Sequence, residues 1–105
     1  MNNKDVVNER FAFAENDLKS AKFLLHMIPP PLEIICYHCQ QSAEKYLKGY
    51  IALKGGKIIK THDLTLLNKI CMKYDVDFQE LDDDTIELVD YGVQVRYPFY
   101  LEGEL

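Results

Sequence analysis

This 105-residue sequence predicts an all-α fold: an up-and-down bundle of four helices with no sheet. Three observations carry that expectation. Two long stretches repeat apolar residues at alternating spacings of four and three, which lines up one side of a helix. Pro29-Pro30-Pro31 and Gly55-Gly56 then stand where helices would stop. No segment alternates apolar and polar residues as a half-buried strand would.

The first helix runs through Val7, Phe11, Ala14, Leu18, Ala21, Leu25 and Ile28, with Asn3 as its expected cap and Asp5 in its first turn. The proline triplet ends it, and Pro31 is placed to open the next helix. The second helix, Leu32 to Lys54, is the one the others should pack against. Leu32, Cys36, Cys39, Ala43, Tyr46, Tyr50 and Leu53 form its apolar stripe, widened by Ile35 and Leu47. His38, Gln41, Lys45 and Lys48 share a polar side. Glu44 and Lys48 read as an i,i+4 pair worth a few tenths of a kcal/mol. After Gly55-Gly56, Thr61 is the expected cap of a third helix whose apolar side is Leu64, Leu67 and Cys71 with Ile70 or Tyr74. Residues 75–81 read as a loop tucking Phe78 and Leu81 under the core. Asp82, Asp83 and Asp84 introduce a fourth helix, Asp84 and Glu87 having capping-box spacing. Ile86, Val89, Val93 and Arg96 or Tyr97 are its expected inner side, and Pro98 forbids its continuation.

The length fits one domain, residues 1–105, able to bury roughly 60–70% of its unfolded surface. Hydrophobic content of 48% and charged content of 28% are ordinary for a globular protein. No apolar run approaches the roughly 20 residues of a membrane span, and the N-terminus has no secretory pattern, so a cytoplasmic location without membrane contact is the default. Three cysteines and no export signal argue against a disulfide framework. Cys36 and Cys39 form a CxxC, but both sit on an apolar stripe and no second pair has zinc spacing. They read as small buried hydrophobes, and no metal or cofactor is expected. The Asp82–Asp84 run offers too few converging oxygens for Mg²⁺ or Ca²⁺ and suits a helix N-terminus.

Net charge is −5, unevenly spread. Residues 1–74 hold 11 Lys and Arg against 7 Asp and Glu; residues 75–105 hold 1 against 10. Such asymmetry marks a basic partner-binding surface or self-association between opposite ends, the plainer reading being a set of solvated helix faces.

Four pieces occur in order: AENDLKSAKFLL (Ala14–Leu25), CYHCQQSAEKYLKGYIALKG (Cys36–Gly55), KTHDLTLL (Lys60–Leu67) and VRYP (Val95–Pro98). Together they resemble the HEPN domain over nearly the whole chain. The resemblance implies a bundle of four or five helices that forms homodimers and is associated with RNA or nucleotide chemistry. It also implies a minimal nucleotidyltransferase partner in a toxin–antitoxin pair. The chain stops soon after its RYP segment, so a fifth, C-terminal helix is expected to be missing. Many family members are metal-independent ribonucleases with an Arg-x4–6-His motif shared across a dimer cleft. Arg96 matches the motif arginine, but no histidine follows it. RNA cleavage without metal needs groups that take and return a proton near neutral pH, and a guanidinium does neither. Arg96 is therefore the remnant of a catalytic pair, and the expected role is binding without cutting. The alternative is a ribonuclease that uses substitute residues such as His62 or His38.

The candidate ligand- or phosphate-binding residues are Lys45, Lys48, His62, Arg96 and Tyr97. Each has a plainer reading. Lys48 pairs with Glu44, His62 packs in a first helical turn, Arg96 suits a helix C-terminus, and Tyr97 closes the bottom of the bundle. Lys45 lacks a partner on its own helix.

Overall fold

The computed structural model describes residues 3–57 and 59–96, with side chains in the last helix as far as Gly92. Four α-helices follow one another: α1 (Asn3–Leu24), α2 (Leu32–Leu53), α3 (Leu64–Met72) and α4 (Asp82–Arg96), with a 3-10 segment at Val76–Leu81. No strand occurs among the described residues. The all-α bundle of four helices is as expected, and the reading that a fifth, C-terminal helix is missing concerns a stretch outside the described residues.

α2 is the centre because, among the described residues, it is the only element that meets both α1 and the rest of the bundle. The buried centre joins Leu47 and Ile51 of α2 to Leu64, Leu67 and Cys71 of α3, with Ala43, Tyr50, Ile70, Phe78 and Leu88 packed around them. α1 lies antiparallel to α2. The Asn3 amide donates to the Ala52 carbonyl at one end, and the Ser42 hydroxyl donates to the Ala14 carbonyl at 2.8 Å midway. Asn3 is thus a helical residue tied to α2, in place of the expected cap.

Gly49 lets the two helices close up, since a methyl there would sit 2.6 Å from the Phe11 ring. Gly55 turns the chain out of α2 at φ 79°, a conformation that favours glycine. The link then returns along α2, so that His62 sits at Glu44 while Tyr74, just past α3, meets the Tyr50 ring edge-on.

Several expected details are corrected. α1 ends at Leu24, so Leu25 is exposed and Ile28 is 97% exposed. The chain needs those residues to reverse direction before Pro31 caps α2, and a residue preceding proline is pushed out of the helical region. In α2 the buried set is Cys36, Ser42, Glu44, Leu47, Gly49, Ile51 and Ala52, while Leu32, Tyr46 and Leu53 are exposed. A helix covered by neighbours on several sides does not keep a single stripe.

The cap of α3 is Asp63, which accepts from the Leu66 amide at 3.1 Å. Thr61 instead accepts from the Asp63 amide. Asp84 is inside α4 and makes no capping box. The start of α4 is fixed by Asn68, wholly buried, whose amide donates to the Phe78 carbonyl and to Asp82 Oδ1. That anchor turns Thr85, Leu88 and Gly92 inward, one residue out of phase with Ile86 and Val89, which are exposed. The Thr85 hydroxyl is satisfied by the Asp82 carbonyl and by Thr65.

Candidate functional site

The polar side of α2 becomes a ridge built around two carboxylates. The first is Asp17, which α1 places opposite it. Asp17 Oδ1 lies 3.0 Å from His38 Nδ1 and its Oδ2 accepts from Lys45 Nζ. Lys45 therefore has its partner on another helix, which no spacing within α2 could reveal. The Lys45 ammonium also stands 6.0 Å from the Phe13 ring centre.

The second carboxylate is Glu44. Its Oε2 accepts from Lys48 Nζ at 3.0 Å and its Oε1 lies 2.8 Å from His62 Nδ1. Glu44 is only 8% exposed. The Lys48 side chain is 13% exposed, whereas that of His62 is 87% exposed. The Glu44–Lys48 pair is thus largely dry, unlike the solvated pair expected from spacing. His62 precedes α3 and is not in its first turn.

Each carboxylate spends one oxygen on a lysine and the other on an imidazole. Burial by itself would raise both acids. Hydrogen bonds from His38 and Lys45 to Asp17, and from His62 and Lys48 to Glu44, outweigh burial with the help of their charges. Both carboxyls are held below their usual values, and so are charged at neutral pH. In both clusters Nδ1 is the nitrogen engaged, which leaves the Nε2 edge as the free one. Gln41, one turn from His38, Glu44 and Lys45 and two from Lys48, sits between the clusters. The exposed Tyr37 ring meets His38 edge-on, with centres 5.6 Å apart.

Arg10 extends the same side of α1. It lies two turns before Asp17, and its Nε is buried without a hydrogen-bond partner among the described residues. Sequence reasoning passed over both Arg10 and Asp17. Their sevenfold separation on α1 was the available signal.

Of the candidates, Lys48 and His62 are brought together by Glu44, and Lys45 stands one turn away on Asp17. Arg96 closes α4, but its side chain lies outside the described residues, as does Tyr97 altogether. Among the described residues no group of three His, Cys, Asp or Glu could hold a metal ion. Cys36 and Cys71 are buried and Cys39 is half-buried. Burial pushes the Cys39 thiol up and the Cys71 thiol up to about 11, away from the reactive thiolate form. No described helix is long and apolar enough to cross a membrane.

Fold and ridge define a small helical bundle whose long central helix presents ammonium and imidazole groups seated on buried acids. The chain belongs to the HEPN domain family, whose family model matches residues 7–104. No curated protein and no solved structure matches it.

Proposed function

We propose that this chain is a HEPN binding module. It acts as a homodimer beside a minimal nucleotidyltransferase in a toxin–antitoxin-type system, and holds nucleotide or RNA on the ridge of α2. The observation that carries this reading is the pair of acid-seated clusters, Asp17 with His38 and Lys45, and Glu44 with His62 and Lys48. The acids fix the direction of the donors at little further loss of side-chain freedom, as a site for phosphate oxygens requires. The lysines are already neutralised by their acids, so recognition rests on placed hydrogen bonds more than on a strong positive field.

Thermal unfolding with ATP, GTP or a short RNA tests the binding role. A ligand at 100 times its Kd adds about 2.7 kcal/mol to the native state. The melting temperature should rise with one of them, and the rise should vanish in a His38→Gln, His62→Gln variant. A flat response to all three overturns the reading. A minimal nucleotidyltransferase encoded beside this chain should co-elute with it on gel filtration after co-expression, and separate elution removes the partner.

One observation favours a second reading, that of a metal-independent ribonuclease. An imidazole held at Nδ1 by a carboxylate is oriented as general bases are. His38 and the Glu44 that holds His62 are six residues apart on α2, a rise of about 9 Å. A second subunit would then have to complete an acid–base pair around one phosphate. RNA cleavage that persists in EDTA and is lost in the same double variant supports this role, and intact RNA eliminates it.

A further inference from the structure

On another side of α2 lies a feature that the ridge does not use. No Cα of α1 comes within 8 Å of a Cα in α3, α4 or the 3-10 segment. Helices packed directly on one another lie about 8–10 Å apart axis to axis and would give such approaches. The gap between α1 and α4 is an open trough of about 440 Å³. Ala43, Tyr46, Leu47 and Tyr50 form its floor. Phe11 stands on the α1 side, and Phe78, Leu81 and Leu88 on the other. The floor from Ala43 to Tyr50 spans seven residues, about 10.5 Å or two helical turns. Most of these side chains are only partly covered.

The α4 rim carries negative charge. Asp84 lines the trough and has no ion-pair or hydrogen-bond partner among the described residues. Glu87 and Asp90 continue that wall around an adjoining hollow that shares Asp84 and Leu88 with the trough. Across the floor, Glu15 of α1 accepts from the Tyr46 hydroxyl at 2.8 Å.

We propose that this trough is the docking site of an amphipathic helix from a partner protein, one with apolar residues at i, i+3 or i+4, and i+7 and with Lys or Arg beside them. Three such side chains cover two turns, matching the length of the floor, and basic flanks match the acidic α4 wall at Asp84, Glu87 and Asp90. Docking would bridge α1 and α4, which among the described residues are joined only through α2. The proposal stands apart from the ridge: it concerns different side chains and needs no nucleotide.

Two labelled synthetic helices test it by fluorescence anisotropy against the full chain. They share one leucine face and differ in carrying lysine or glutamate flanks. The lysine peptide should bind at least about tenfold more tightly, the equivalent of about 1.4 kcal/mol. Reversal of the exposed pair, Asp84→Lys with Glu87→Lys, should invert the preference. The same two-charge reversal at the exposed Glu9 and Glu33 should leave it unchanged. A melting curve of each variant matching the wild type confirms that the fold is kept. Equal binding of the two peptides, no binding, or equal effects of the two reversals overturns the proposal. So does binding that occurs only after residues 97–105 are removed, because the chain's own end is then the occupant. Binding only by a dissociated monomer likewise assigns the trough to a second copy.

Discussion

Replacing Glu44 by glutamine separates two accounts of the ridge by their magnitudes. If Glu44 and Lys48 were a solvated i,i+4 pair, the loss would be about 0.3–0.5 kcal/mol. The structure implies more, because Glu44 is 8% exposed and the Lys48 ammonium that it accepts is nearly as dry. A hydrogen bond to a charged group contributes about 1.5–3 kcal/mol. The His62 bond adds little, since that side chain is largely in water. The carboxamide keeps one acceptor but turns an N–H toward a donor. The expected cost is about 2 kcal/mol, against a total stability of roughly 5–15. Urea unfolding at neutral pH followed by helical circular dichroism measures it. Lys48→Met in both backgrounds should give a coupling of about 1 kcal/mol or more. A Glu44→Gln cost under about 0.5 kcal/mol would refute the buried-pair account.

Acid should weaken the fold through the same groups. Asp17 and Glu44 titrate lower in the fold than their usual 3.8 and 4.5, so the folded state binds fewer protons there. Their stabilisation is complete above those usual values and is lost as pH falls through the lowered ones. Urea midpoints from neutral pH downward should fall less steeply in an Asp17→Asn, Glu44→Gln variant, and parallel profiles would contradict this. Gly49→Ala places a methyl 2.6 Å from the Phe11 ring and should cost about 1–3 kcal/mol. Phe11→Leu should restore part of that in denaturant titrations. Asp63→Ala should cost about 1 kcal/mol as a lost cap, with Thr61→Ala clearly milder by the same measurement.

The long helices were readable because period and punctuation agreed for α1 and α2. What escaped was decided between elements. The phase of α4 depends on Asn68 holding Phe78 and Asp82, a contact that no local spacing encodes. Ile86 and Val89 looked like the natural inner residues, yet Thr85 and Gly92 took that place. The Asp63 cap lost out to Thr61 in the sequence reading because both residues suit the position; only the backbone path distinguishes them. The Glu44–Lys48 pair was legible from its spacing, while the partners of Lys45 and His62 were missed. Asp17 comes from another helix, and the burial of Glu44 follows from the returning link.

Among the described residues α1 is fastened to a single neighbour, so these elements are joined in series and not as a ring. Peeling α1 away would uncover one flank of α2 and leave the cluster from Leu47 to Cys71 whole. Such a chain has a separable first quarter whose opening free energy lies below that of the remainder. The Asp17 cluster would come apart in that opening and the Glu44 cluster would not, so the two halves of the ridge differ in persistence although they are alike in chemistry.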